Sequence, residues 1–159
     1  MSRYQLAQLN IAKGRGTINE PVMADFKAHI ERINALAEAA PGFVWRLKDE
    51  GGDATALRPF GPEYYVNLSV WENIDALHHF AFRSAHIDIL RRRREWFERM
   101  DEAYAVLWWI PGGHVPAVEE AAERLAQFRK RGPTQEAFSF QTAFPHPGKD
   151  ASPRAQAQW

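Results

Sequence analysis

Tyr64-Tyr65-Val66-Asn67-Leu68-Ser69-Val70-Trp71 alternates strictly between two kinds of side chain. Val66, Leu68 and Val70 share one parity; Tyr65, Asn67, Ser69 and Trp71 share the other. A period of two in β-branched and aromatic residues predicts a strand with one apolar face and one face of amide, hydroxyl and ring groups. Tyr4 to Ala12 reads the same way, with Ala7, Leu9 and Ile11 on one parity and Leu6, Gln8 and Asn10 on the other. The turn Lys13-Gly14-Arg15-Gly16 follows, lacking the flanking pattern of a phosphate loop. Pro21 suits a first helical turn, and Phe26, Ile30, Ile33, Leu36 and Ala37 give the helix over 22–39 one buried stripe. Pro41-Gly42 stops it, Phe43 to Lys48 reads as a second strand, and Gly51-Gly52-Asp53 opens a loop reaching Pro62.

Beyond Trp71 a helix is expected from about Ile74 to Phe82, with Ser84 capping a continuation through Met100. Tyr104 to Ile110 is an aromatic strand closed by Pro111-Gly112-Gly113. Pro116 opens a further helix with the stripe Val118, Ala121, Ala122, Leu125 and Phe128, ended by Gly132-Pro133. Ala137 to Thr142 adds a short extended segment. Strand, helix, strand, strand, helix, strand makes two split βαβ units, hence an α+β protein: a ferredoxin-like antiparallel sheet with helices on one face and an extra C-terminal helix. One domain is expected over 1–142, with the Pro-, Ala- and Gln-rich stretch 143–159 as a disordered tail.

The 159 residues carry twenty basic and twenty acidic side chains, which argues against a global electrostatic grip on nucleic acid or an anionic membrane. Without cysteine there are no disulfides, thiolate metal sites or cysteine nucleophiles. No apolar run reaches the roughly 18 residues of a membrane span, and 1–9 lacks the design of a secretory signal. A cytoplasmic protein is expected.

If the helices take one sheet face, the other meets water, a partner or a ligand. The parities opposite the plainly apolar ones supply Gln8, Asn10, Arg46, Tyr65, Asn67, Ser69 and Trp71, while Trp108 and Trp109 put one indole on each side. Such groups make a poor solvent face and suit a semi-polar chamber in which aromatic walls provide area and a few polar groups fix orientation. The alternative is a sheet-to-sheet interface with satisfied hydrogen bonds. A homodimer is expected either way.

His78, His79 and His86 fall in the second helical region. In the first turn of a helix capped by Ser84, His86 would stay neutral and act as base, donor or metal ligand; the alternative is a half-buried histidine bonded to backbone. The histidines with Asp75 or Asp88 match no recognised metal spacing, so no metal is expected. Arg91 to Arg94 spreads around a helix amid Glu95, Glu98, Asp101 and Glu102 and reads as a salt-bridged surface. Arg93 alone, seven residues after His86, is placed to meet an anionic group on a ligand.

The blocks LAQLNIA, PGFVWRLKDEGGDAT, VNLSVWENIDAL, the SAH after it, WFERM, LWWIPGGHVP and GPTQEAFSF, spread over about residues 4–142, resemble the bacterial family catalogued as domain of unknown function 3291. That family is similar to the dimeric α+β barrel superfamily, which includes cofactor-free monooxygenases of polycyclic aromatic substrates, haem-degrading enzymes, chlorite dismutase-like haem proteins and small-molecule isomerases. The resemblance implies a homodimer and a site in which Asn10, Trp71 and His86 echo the asparagine, tryptophan and helical histidine of the haem-degrading members. The expected function is binding of a small apolar or aromatic molecule. His86 and Asn10 would be catalytic, Arg46, Asn67, Ser69, Trp71, Trp108 and Arg93 would hold the substrate, and the chemistry would be cofactor-free oxygenation or proton transfer. The alternatives are haem binding with His86 as axial ligand, and a non-catalytic dimeric module.

Overall fold

A computed structural model describes residues 4–17, 19–48, 60–61, 63–83, 87 and 91–147. The expected loop around Gly51-Gly52-Asp53, the cap at Ser84, the candidate His86 and the stretch 148–159 lie outside the described residues.

Four strands, β1 (Tyr4–Lys13), β2 (Phe43–Arg46), β3 (Tyr64–Trp71) and β4 (Ala105–Pro111), form one antiparallel sheet in the order β2-β3-β1-β4. A 3-10 turn at Pro21–Met23 leads into α1 (Ala24–Ala39); α2 (Ile74–Arg83) follows β3, and α4 (Val118–Arg131) follows β4. The α+β class and ferredoxin-like connectivity follow the strand periodicities. Gly42 ends the α1 connection with φ +86°, and a Cβ there would collide with that of Ala76 on α2, so only glycine lets β2 start so close to the second helix.

Between α2 and β4 the described residues include helical Ile87 and Arg91 and a short helix, α3 (Arg93–Trp96), which stops before Met100 rather than running to it. Phe97 is extended and bridges Gly14, and the Glu98 N–H donates to the carbonyl of Lys13. The end of β1 thus takes the backbone groups another helical turn would have used. Phe97 is instead held among Phe26 and Tyr65, with ring centroids 4.9 and 5.8 Å away.

The two sheet faces are covered differently. Ala7, Leu9 and Ile11, with Val66, Leu68, Val70, Val106, Trp108 and Ile110, form a dry face that packs with Ala121 and Leu125 of α4. Full burial of a side chain such as Leu125 stabilises by about 1.5–3 kcal/mol. The opposite parity faces α1 and α2, which overturns the expectation that the amides and indoles project from the helix-free side. The reason lies at the strand ends. Leu6, Trp71 and Leu107 cluster with Ala37, Ile74, Leu77 and Phe80, while Ala12 and Tyr65 cluster with Met23, Trp96 and Phe97. Helices therefore find apolar footing at both ends of this face and bridge over its polar middle.

The chain after Thr142, expected to leave the domain, stays on it as far as the described residues go. Ala143 is buried, Trp109 Nε1 donates to the Phe144 carbonyl at 2.8 Å, and His146 stacks on Tyr4 at 5.4 Å. Low apolar content hid this, because a few well-placed residues and one indole hydrogen bond suffice to hold a short segment. Just before it, Phe138 makes an isolated bridge to Leu107 on the outer edge of β4, whereas residues 140–142 form a bend and turn rather than continuing the extended segment expected over 137–142.

Candidate functional site

The register of β1 on β3 sets Gln8 opposite Ser69, Asn10 opposite Asn67, and Leu6 opposite Trp71, all on the face beneath α1 and α2. Directly opposed side chains on an antiparallel pair touch, and here they are linked by hydrogen bonds. Gln8 Nε2 donates to Asn67 Oδ1 at 2.6 Å and to Ser69 Oγ at 2.7 Å, and Asn10 Nδ2 donates to Gln8 Oε1 at 3.1 Å. Trp71 Nε1 also donates to Ser69 Oγ, at 2.9 Å. Gln8 and Ser69 are buried, Asn10 is half-buried, and Asn67 is the exposed member of the row.

Counting valences shows what the row leaves open. Ser69 Oγ accepts two N–H donors, which uses its lone pairs and directs its own proton elsewhere. Asn67 Nδ2 and Asn10 Oδ1 make no hydrogen bond to any described residue. One hydroxyl donor, one amide donor and one amide acceptor therefore remain, held by side chains fixed through Gln8.

These groups line a cavity of about 700 Å³ between the sheet and the helices. Phe26, Ile30 and Ile33 of α1 and Leu77 and Phe80 of α2 form the facing wall. Trp71 closes one end, stacked on Phe80 at 5.2 Å and met edge-on by Phe43 at 5.4 Å. Tyr65, Trp96 and Phe97 close the other end, where the Tyr65 hydroxyl donates to the Gly16 carbonyl at 3.1 Å. Apolar, partly open cavities with a few convergent polar groups are where small molecules usually bind in proteins.

Both arginines singled out from the sequence reach this space. Arg46, opposite Ser69 on β2, pairs with Glu38 of α1 at 3.2 Å. Arg93 lies 4.6 Å from the Tyr104 ring centroid and 5.9 Å from that of Phe97. Its neighbour Arg92 turns outward to Asp25 at 2.7 Å and Glu95 at 2.9 Å, as a salt-bridged surface predicts.

The structure thus brings together Asn10, Arg46, Asn67, Ser69, Trp71 and Arg93. It does not bring Trp108 to them: that side chain is on the dry face, its indole donating to Glu120 Oε2 on α4 at 2.8 Å. Of two adjacent tryptophans in a strand only one can share the parity of Trp71, and that one is Trp109, opposite Leu6. Glu120 also binds His114 Nε2 at 2.7 Å. Burial pushes the Glu120 carboxyl up, but the hydrogen bonds from His114 and Trp108 outweigh it and hold it below the ordinary range. His78 is depressed, first by burial and then by Arg83, and packs on Phe82 and Phe140, two rings that line the cavity.

Gln8, the hub of the row, is expected on the polar parity but not among the residues that hold the substrate. Its signal was its place between Leu6 and Asn10 on the polar parity, but its two-sided bonding depends on the β1–β3 register. Phe26, Phe80 and Tyr104 also reach the site, and in the sequence nothing distinguishes them from core residues. Among the described residues, no group of three or more His, Asp or Glu is placed to hold a metal ion, and no helix is long and apolar enough to cross a membrane.

No curated protein matches the chain. Similar solved structures include SnoaB, a cofactor-independent oxygenase from Streptomyces nogalater, at 18% identity and a TM-score of 0.43, covering 70% of this chain and 95% of that one. NE2512, a protein of unknown function from Nitrosomonas europaea, is similar at 12% identity and a TM-score of 0.45, covering 72% and 97%. PA3566 from Pseudomonas aeruginosa is similar at 12% identity and a TM-score of 0.42, covering 73% and 98%. The family described as Domain of unknown function (DUF3291) matches residues 5–155, and the chain belongs to it.

Proposed function

We propose that the protein is an enzyme that encloses a flat, largely apolar molecule bearing a keto or phenolic oxygen and acts on it through the oxygen's anionic form. The observation that carries this reading is the linked row Asn10–Gln8–Asn67–Ser69, which keeps open valences and lines an aromatic-walled cavity. A ligand oxygen accepting from both Ser69 and Asn67 is stabilised more as negative charge grows on it, because donors already held in place cost little reorganisation. Asn10 Oδ1 accepts from a neighbouring hydroxyl. Trp71, Phe80 and Phe26 supply contact area.

Two reactions follow from an oxyanion held this way. In proton transfer, an enolate forms and is reprotonated at another position. In oxygenation without a cofactor, the electron-rich anion reduces dioxygen: a phenol and O2 give a quinone and one water. His86 is the proposed acid/base residue on its position in the sequence, and it lies outside the described residues. The cavity lies between the sheet and the helices of one chain.

Isothermal titration with 2-naphthol tests the proposal. The wild type is expected to bind it, and Asn67→Leu to weaken binding by about tenfold, the worth of one lost hydrogen bond. An absence of binding to the wild type, or equal binding to the variant, overturns the reading.

A further inference from the structure

Resting on that reading, we infer that the ligand also carries a carboxylate, bound by Arg93 at the end of the cavity opposite Trp71. Among the described residues two arginines line the cavity, and their electrostatic situations differ. Arg46 is neutralised by Glu38, whereas Arg93 forms no ion pair or hydrogen bond with any described residue. Its charge rests on the rings of Tyr104 and Phe97, and ring contacts stabilise a guanidinium without using its N–H donors. The adjacent Arg92 meets two carboxylates. The cationic run therefore places one saturated arginine outside and one with unused donors at an apolar cavity, where a planar two-oxygen anion fits the guanidinium fork.

The sheet fixes the order of groups along the cavity. Trp71 stands opposite Leu6, and Ser69 and Asn67 stand opposite Gln8 and Asn10. The Tyr104 carbonyl accepts from Ile11, and Phe97 bridges Gly14, so Arg93 lies at the far end of β1. Leu6 to Ile11 spans about 16 Å at the rise of an extended strand. Apolar wall, uncharged donors and acceptor, then cation follow in sequence. This order selects an aromatic acid of two or three fused rings, with an oxygen substituent on the ring body and the carboxylate at one end.

The test compares 6-hydroxy-2-naphthoate with 2-naphthol by isothermal titration on the full chain. The wild type is expected to bind the acid at least tenfold more tightly than the naphthol. Arg93→Gln should remove that advantage while leaving naphthol affinity within twofold, which also shows that the variant is folded. Arg93→Lys should retain part of it, because a point charge replaces the fork, and added salt should weaken the acid alone. An acid affinity indifferent to Arg93→Gln, or equal losses for both probes, overturns the carboxylate assignment while naphthol binding to the wild type leaves the cavity reading standing. Failure of the wild type to bind either probe overturns both.

Discussion

Gln8 is the residue on which the polar row depends. Its amide nitrogen serves Asn67 and Ser69 and its oxygen serves Asn10, so one side chain on β1 orients three others across two strands. Gln8→Leu would fill similar space but leave Asn67 Oδ1 and Asn10 Nδ2 without this partner and Ser69 Oγ with only Trp71. Buried polar groups that lose a partner cost about 1–3 kcal/mol, and the exposed Asn67 recovers some of that from water. A loss of roughly 1–2 kcal/mol in urea-denaturation stability is the expected outcome. An unchanged midpoint would mean that the row is not a structural unit. The residue types of this row were legible because strand alternation assigns faces without any knowledge of tertiary contacts. The hydrogen bonds were not, because a one-residue change of register would pair Gln8 differently.

At the scale of elements, the sequence pattern located the four described strands and the helices α1, α2 and α4, since amphipathic stripes and Pro/Gly stops are local signals. The side of the sheet on which each helix lands is not local. α1 and α2 cover the amide face by gripping its aromatic ends, and α4 takes the wholly apolar face. α4 is joined to β4 by the His114–Glu120–Trp108 contact as well as by its apolar stripe. Burial raises the Glu120 carboxyl and the hydrogen bonds from His114 and Trp108 more than reverse this, leaving the folded-state pKa below the ordinary 4.5. In the window between those values the unfolded chain binds more protons than the folded one. Glu120 therefore contributes stability that is fully present above about pH 5 and is lost as pH falls through the lower folded-state value. Glu120→Gln is expected to flatten the pH dependence of the urea midpoint below pH 5 relative to wild type. Parallel curves for the two proteins in that range would show that the carboxylate does not anchor α4.

For the molecule as a whole, a single arrangement explains both the packing and the site. Helices that rest on the aromatic ends of one sheet face leave an unfilled space above its polar middle. The expectation of a semi-polar chamber walled by aromatics survives in its chemistry and changes in its location, from a space shared by two subunits to one between the sheet and the helices of one chain. The misplacement has a physical origin: an apolar parity looks like the face that helices should cover, yet tyrosine, tryptophan and leucine at the ends of the mixed parity provide enough area for two helices. Trp108 was misassigned for the same reason, since an indole on the dry face is indistinguishable in sequence from one at a cavity. The most direct test is a crystal structure of the protein with 2-naphthol. The account predicts the naphthalene between α1, α2 and the sheet, its oxygen within hydrogen-bond reach of Ser69 Oγ and Asn67 Nδ2. Naphthol bound elsewhere, with this space filled by side chains or holding only water, would contradict it.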